Sequence, residues 1–564
     1  MIDKTDIAEN TRSIETSAPD AAPEVDPVVA PDVAPDAAPD VAAEAARLVA
    51  GLVAEPWGQT SASVYETGRV VTLAPWLPGQ DGRLRFLRGR QRPDGGWGGP
   101  GGYALVPTLS ATEAILTVLL DDTGAYGPAP GDLVETARRA LDRLFAWLNH
   151  GPLPELPDMP AIELIVPALV EAINAHLAAL DGLPLPGLDP WRGARLGLPP
   201  GMDGRLLAVL RDRIASGSGV PEKLLHALEI GGPAAAGAPG VRPLGPGTVG
   251  ASPAATAAWL AGGDRGSLAA GARRHLADVA GGYGGPVPCA LPISVFERGW
   301  VVGGLLRVGV PVAVPPEVTA ELATAYRPAG VCAGPGLPAD ADTTSGALYA
   351  LYAMGPAAPR EAPESLSAFR TPTHFCTWQG EQGFSVTVNA HVLEAFGGYL
   401  AGATEEEKRY SADVAALSRL LADRQEPDGS WHDRWHASPY YATACCALAL
   451  DAYGVGAPAA AAVRRAARWV LDTQRADGSW GLWEGTAEET AYALQILLSL
   501  PPDEAPSYRR AAERGHAYLL RTDPERHGPA MWHDKDLYYP TAVVRSAILA
   551  ALHLAAVRLS HCPS

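Results

Sequence analysis

Lysine is nearly missing from this chain: Lys4, Lys223, Lys408 and Lys535 are the whole set in 564 residues. Lysine and arginine together number 44 against 63 acidic residues, a net charge of −19. Nucleic acid is thereby excluded as a bulk partner, because phosphate backbones need a basic face. A small anionic ligand needs only a local basic patch or a metal ion. Cysteine is also scarce: Cys289, Cys332, Cys376, Cys445, Cys446 and Cys562 show no Cys-x-x-Cys or Cys/His zinc spacing. Adjacent Cys445 and Cys446 lie in an Ala/Leu-rich stretch and read as small core residues. No uninterrupted apolar run reaches the length of a membrane span, and the most apolar C-terminal stretch is broken by Arg545 and His553. No basic region followed by an apolar run opens the chain, so no secretory signal is expected. These absences predict a reduced, cytoplasmic enzyme or binding protein that is not integral to a membrane.

Residues 1–42 read as a disordered tail. Ala, Pro, Val and Asp repeat there, with ten acidic residues up to Asp40 against only Lys4 and Arg12. Such a segment buries too little apolar surface to offset its ordering entropy. Beyond it the chain reads as helix after helix, as in Leu133–Leu148 with Leu133, Ala137, Leu141, Leu144, Phe145 and Leu148 at helical spacing. Many such stretches are followed by Gly or Pro, as helix ends prefer. No strand alternation of useful length is present. The fold class expected is all-α.

One motif recurs three times. Gln91-Arg92-Pro93-Asp94-Gly95-Gly96-Trp97 returns as Gln425-Glu426-Pro427-Asp428-Gly429-Ser430-Trp431 and as Gln474-Arg475-Ala476-Asp477-Gly478-Ser479-Trp480. Each copy follows a helix. Asp-Gly supplies a turn, and Gln and Trp are placed to tie that turn to a neighbouring helix. Repeated helical hairpins of this kind predict an α/α barrel.

At these residues the chain resembles the class II terpene cyclases, whose α/α barrels carry such Gln…Gly-x-Trp turns. The resemblance extends over most of the ordered chain. It includes Ser61-Ala62-Ser63-Val64-Tyr65-Glu66-Thr67, Leu224-Leu225-His226-Ala227-Leu228-Glu229, Ser252-Pro253-Ala254-Ala255-Thr256-Ala257 and Val295-Phe296-Glu297-Arg298-Gly299-Trp300. The repeats alone would also suit triterpene cyclases, but the other segments are closer to cyclases of prenyl diphosphates. The resemblance implies two α/α domains. One combines residues 43–53 with 291–564 and carries the catalytic acid. The other, residues 54–290, is inserted into it, with the active site between the two.

Asp340-Ala341-Asp342-Thr343-Thr344 is the central chemical motif. Protonating an isolated alkene needs a dry, rigidly aimed carboxylic acid that keeps its proton near neutrality. Burial and a second carboxylate both raise a carboxyl pKa. Asp340 and Asp342 are placed to share a proton, and Thr343 and Thr344 supply hydroxyls. In the family the motif is Asp-x-Asp-Asp with the middle Asp as acid. Here Thr343 replaces the last Asp, a variant that resembles bacterial drimenyl diphosphate synthases. Capping residues crowd this pentad, so a plain helix N-cap is a competing reading. A haloacid-dehalogenase-type phosphatase also uses Asp-x-Asp-x-Thr, but Ala333–Ala339, with its Gly and Pro residues, is not the buried strand that site requires.

A migrating carbocation needs aromatic faces, each worth about 2 kcal/mol when desolvated, and exclusion of water. Trp378 is the first candidate, with Trp300 and Tyr539. Asn389 and His391 are candidates to orient Asp342. Plant relatives hold a deprotonating water with a His, matched by His226, and an Asn whose place is taken here by Cys289. The terminating base is therefore expected to differ. Magnesium is expected near Glu155, Asp158 and Glu163, a weak match to the family's acidic motif, since Mg²⁺ needs only one or two carboxylates plus phosphate oxygens. Lys535 and Lys223 are candidate diphosphate contacts. No complete Asp-Asp-x-x-Asp ionisation motif is present: Asp121-Asp122 stops short.

The reaction expected is protonation-initiated bicyclisation of a small prenyl diphosphate with the diphosphate retained. Farnesyl diphosphate to drimenyl diphosphate is the first reading and rests mainly on Thr343. Geranylgeranyl diphosphate to a copalyl-type diphosphate is the alternative. Protein prenyltransferases and thioester-domain binding scaffolds also use α/α barrels; the former would need a zinc site, and the latter would tolerate loss of Asp342.

Overall fold

The computed structural model describes residues 40–121, 132–183, 185–263, 266–402, 409–499 and 506–560. The acidic segment before Asp40, Asp122, Lys408 and Cys562 lie outside the described residues.

The fold is all-α. In chain order the helices are α1 (Val41–Ala54), α2 (Val64–Leu73), α3 (Gln80–Gly89), α4 (Leu105–Leu119), α5 (Leu133–Phe145), α6 (Ile162–Ala179), α7 (Arg205–Ala215), α8 (Pro253–Leu260), α9 (Ser267–Gly282) and α10 (Ser294–Arg307). There follow α11 (Pro316–Ala325), α12 (Ala341–Ala353), α13 (Val386–Ala401), α14 (Ser411–Asp423), α15 (Pro439–Tyr453), α16 (Ala457–Asp472), α17 (Ala487–Ser499), α18 (Pro506–Arg521) and α19 (Thr541–Ser560). The described strands form two small antiparallel ribbons. β1 (Val331–Cys332) pairs with β2 (Ala339–Asp340), and β3 (Trp532–His533) with β4 (Leu537–Tyr538).

Helices α10, α12, α13, α15, α17 and α19 contact in sequence and close on α10, forming the inner ring of one barrel. A second ring runs through α2, α4, α6, the 3₁₀ segment Glu222–Ala235 and α8, which returns to α2. Two hydrophobic cores match these rings. One joins Ala45, Val49 and Leu52 of α1 to residues from Val295 to Ala555. The other spans Val64 to Ile293 and adds Leu537.

The three Gln…Trp turns are superimposable in their bonding. Trp97, Trp431 and Trp480 are each 0% exposed and donate Nε1–H to Leu87 (2.6 Å), Leu421 (2.9 Å) and Val470 (2.7 Å) carbonyls of the preceding outer helix. Gln91, Gln425 and Gln474 donate to the Thr136 (3.0 Å), Ala462 (2.9 Å) and Ala511 (2.9 Å) carbonyls of the next outer helix. Inner-helix hydroxyls of Thr108, Thr443 and Thr490 accept from the Trp backbone amides. Each turn Gly is left-handed, with φ 87° at Gly95, 101° at Gly429 and 92° at Gly478. Each motif therefore staples two outer helices to one inner helix.

Inner-helix N-termini are capped by short polar side chains: Ser63 for α2, Ser252 for α8, Asp340 for α12, Ser385 for α13 and Ser438 for α15. By length and composition, three stretches reach what a membrane span requires, contrary to the expectation from uninterrupted runs: Gly101–Leu119, Ile162–Ala179 and Thr541–Ser560. They pack as barrel helices, with 83%, 50% and 50% of their apolar windows buried.

Candidate active site

Asp340 caps α12. Its carboxylate accepts from the Thr343 amide (2.5 Å) and the Thr343 hydroxyl (2.9 Å). The Thr344 hydroxyl donates to the Asp340 carbonyl (2.5 Å) and accepts from the Val331 amide (2.8 Å), fixing the helix start on β1. Both threonines therefore build the frame of Asp340 and do not touch Asp342. The cap is therefore Asp340, which places Asp342 on the first helical turn. Burial, with the Asp342 carboxylate adding to it, pushes the Asp340 carboxyl up to about 7 against the hydrogen bonds from Thr343.

Asp342 Oδ1 meets His391 Nδ1 at 2.7 Å. Its Oδ2 has no hydrogen-bond partner among the described residues. Burial disfavours a charged His391, but Asp342 and Cys445 overcome it and the imidazole pKa is raised well above its ordinary value. The Trp300 ring meets His391 edge-on at 5.1 Å and donates its N–H to the Tyr441 hydroxyl at 3.1 Å. Asn389 stands apart from this pair. It bonds the Phe375 amide (2.9 Å), the Phe375 carbonyl (3.0 Å) and the Ser385 carbonyl (2.8 Å), so it braces the loop before Trp378 and does not orient Asp342.

Two cavities lie close to this motif, one reached through His391 and the other through Trp378. One occupies the lumen of the larger barrel and is lined by Trp300, His391, Tyr441, Cys445 and Tyr492 among others. The second cavity lies between the barrels and is lined by His226, Cys289, Phe296, Trp378, Asp534 and Tyr538, with Trp435 and Lys223. Trp378 reaches it because its backbone bridges Asp340, and its ring meets Trp435 edge-on at 5.4 Å. Tyr538 feels both ends of this cavity: burial, then Asp534, Cys289 and Asp342, push its hydroxyl well above the ordinary value.

The neighbouring Tyr539, the third aromatic candidate from sequence, stacks on His527 at 4.9 Å and lines a groove on another face. Successive residues of a ribbon face opposite ways, so β4 turns Tyr538 into the inter-barrel cavity and the next residue away from it.

His226 lines that cavity with a partner that sequence reasoning missed. Nδ1 lies 2.6 Å from the Gly250 carbonyl and Nε2 lies 2.8 Å from Asp534 Oδ1. A carbonyl only accepts, so Nδ1 carries a proton. With a carboxylate facing Nε2, the ring is an imidazolium paired to Asp534. The shifts agree: burial opposes a charged His226, Asp534 outweighs it, and the net change is upward, while Asp534 is held low despite its own burial. The signal was in the sequence, one residue before Lys535, but no spacing rule joins positions 226 and 534.

Lys535 is corrected as a diphosphate contact. It is 1% exposed and ion-paired to Glu66 and to Glu229 (3.0 Å), and it donates to Ser252 Oγ (3.0 Å) and the His226 carbonyl (2.6 Å). Every donor is spent inside the protein, and what Lys535 holds is the floor beneath His226. Lys223 remains at the cavity edge, partly exposed and paired to Glu381 at 2.8 Å. Glu155, Asp158 and Glu163 are exposed, Asp158 is engaged by Arg434 at 3.1 Å, and no group of three metal-ligating side chains occurs among the described residues. These residues do not fit a preformed Mg²⁺ cage.

Comparison with known proteins agrees with this geometry. A profile described as the squalene-hopene cyclase C-terminal domain matches residues 383–542. The ent-copalyl diphosphate synthase of Streptomyces sp. (strain KO-3988) is 42% identical over 504 residues, covering 89% of this chain and 93% of the relative. The labda-7,13-dienyl diphosphate synthase of Streptomyces clavuligerus is 42% identical over 504 residues, 88% of this chain and 90% of the relative. Among solved structures, ent-copalyl diphosphate synthase from Streptomyces platensis superimposes with a TM-score of 0.85 at 44% identity, covering 92% of this chain and all of that one (100%). The chain belongs to the class II terpene cyclases. It is a cyclase, and an all-α one.

Proposed function

We propose that this enzyme is a class II diterpene cyclase that converts geranylgeranyl diphosphate to a bicyclic copalyl-type diphosphate. The similar proteins named above support the twenty-carbon reading over the fifteen-carbon reading first drawn from Thr343. In this structure the Thr343 hydroxyl serves Asp340, which gives no reason to link it to substrate length. The observation that carries the reaction class is Asp342, held through one oxygen by His391 with the other oxygen free.

In the competent state His391 Nδ1–H donates to Asp342 Oδ1 and the transferable proton sits on Oδ2. An imidazolium donating to the carboxyl strengthens it as an acid. Proton transfer to the terminal alkene starts the cascade, and the charge then moves along a cavity walled by Trp378, Trp435, Phe296 and Tyr538, where aromatic faces replace water. The cascade ends when a proton is lost. His226 has both ring nitrogens occupied, so the acceptor at that end is Asp534, whose Oδ2 is free of hydrogen bonds among the described residues, or a water it holds. The diphosphate is proposed to sit near Lys223, and Mg²⁺ to enter as its counter-ion, held by phosphate oxygens and at most one or two exposed carboxylates.

Incubation with Mg²⁺ and, separately, C20 and C15 prenyl diphosphates, followed by mass spectrometry before and after phosphatase treatment, tests the proposal. A bicyclic C20 alcohol seen only after phosphatase is the expected result. A bicyclic C15 alcohol alone would return the assignment to the drimenyl reading.

A further inference from the structure

A second buried carboxylate stands near the cavity and plays no part in the steps above. Glu488, at the start of α17, is 2% exposed. Three donors converge on its Oε1: Trp532 Nε1 at 2.8 Å, Tyr492 Oη at 3.2 Å and His436 Nε2 at 3.2 Å. Its Oε2 is buried with no hydrogen-bond partner among the described residues. His436 Nδ1 accepts from the Ser438 amide at 3.0 Å, so the ring proton is on Nε2 and the imidazole is neutral. Three protons directed at one oxygen define Glu488 as the anion. Among the described residues no Lys or Arg nitrogen lies in ion-pair range of it; its one such neighbour is the neutral His436.

A buried charge without a counter-charge is costly, and here its position accounts for it. The Trp532 indole that donates to Glu488 lies 4.6 Å from the Tyr441 ring, 5.9 Å from Phe296 and 6.4 Å from Tyr538. Phe296 and Tyr538 line the inter-barrel cavity. The carboxylate is thus one aromatic layer behind the cavity wall.

We propose that Glu488 is the fixed counter-charge of the carbocation. Its field adds to that of the aromatic wall, and accepting the Trp532 N–H enriches the indole π-face. Both effects favour positive charge in the cavity over neutral substrate, in a setting already organised before reaction. Glu488 touches no reacting atom; it is a positioning residue acting through Trp532.

This inference rests on the cyclase reading, and its test separates the two. Glu488→Gln keeps an acceptor oxygen for Trp532 and removes the charge. Inhibition is measured with a bicyclic tertiary-ammonium diphosphate and with its neutral carbon isostere. The ammonium should lose about tenfold in affinity, on the scale of one desolvated cation–π contact, while the isostere is unchanged. In parallel kcat should fall with KM kept, and Glu488→Asp should recover part of the ammonium preference. Trp532→Phe, which keeps a ring and breaks the link, should also weaken the ammonium selectively, and it serves if Glu488→Gln does not fold. Equal weakening of both inhibitors, or no change in either, would overturn the proposal for Glu488 alone, provided the unaltered enzyme cyclises. An unaltered enzyme that cyclises neither substrate would overturn both readings.

Discussion

At the scale of the residue, the two aspartates two positions apart divide their labour. Asp340 is a cap and a charge neighbour; Asp342, bonded to His391, is the proposed donor. Asp342→Asn should lower turnover by about 10²- to 10⁴-fold, the range for loss of a general acid, with the melting temperature retained. His391→Ala should cost about ten- to a hundredfold, the worth of a hydrogen bond to a charged group, read as kcat at saturating substrate. The pH profile follows from Asp340. Below about 7 it keeps its proton. Above that value it places a full negative charge beside Asp342 and makes Asp342 a weaker acid. Turnover should therefore fall as pH rises through about 7. Thr343→Val removes a hydrogen bond that lowers this pKa, so the falling limb should move to higher pH. A profile that rises through the same window would contradict this assignment.

Lys535 shows what sequence does not disclose about a single residue. A lone lysine in a segment of family character reads as a ligand contact, but its two carboxylate partners stand at positions 66 and 229, beyond any local pattern. Lys535→Met leaves two buried carboxylates without a cation and should destabilise the fold by about 3–5 kcal/mol, measured by denaturant unfolding. A stable Lys535→Met enzyme with only weakened substrate binding would restore the role expected from sequence.

At the scale of the element, the Gln…Trp turns were fully legible, because local geometry dictates every residue in them. Asp turns the chain, Gly takes the left-handed conformation, Trp reaches the carbonyl 10 residues back and Gln the turn-glycine carbonyl 4 residues on. Gly478→Ala tests this. Its Cβ would lie 2.8 Å from the Arg514 carbonyl at a φ of 92°. The substitution should cost about 1–3 kcal/mol, seen as a lower denaturation midpoint, without altering product identity. Helix α4 was not legible for the opposite reason. It is buried on nearly all sides, so no polar face marks its period. The exchange of Tyr538 for Tyr539 has the same root: register in a two-residue ribbon is set by its partner strand, not by its own composition.

At the scale of the molecule, the proposed site draws on both barrels. The larger one supplies Asp342, His391 and the segment from Trp532 to Pro540; the smaller one supplies His226 and the edge of the cavity. Asp536 locks them, its Oδ2 accepting from the Ser63 hydroxyl (3.2 Å) and the Val64 (3.0 Å) and Tyr65 (3.2 Å) amides at the start of α2. The proposed acid is legible in the sequence because its chemistry is contained in one pentad. The far end of the cavity could not, since His226 and Asp534 meet only after the barrels close on each other. Asp534→Asn should leave cyclisation running and change the position at which the final proton is lost, so the product isomer shifts; an unchanged isomer would remove Asp534 from the terminating step.

Asp342 is proposed to protonate a prenyl diphosphate and leave the diphosphate in place. Product mass spectrometry of the unaltered enzyme and of Asp342→Asn, each with C20 and C15 substrates and with phosphatase added only afterwards, tests it most directly. The account predicts a bicyclic C20 alcohol after phosphatase from the unaltered enzyme and none from Asp342→Asn. Cyclised product from Asp342→Asn at an undiminished rate, or release of alcohol without added phosphatase, would contradict it.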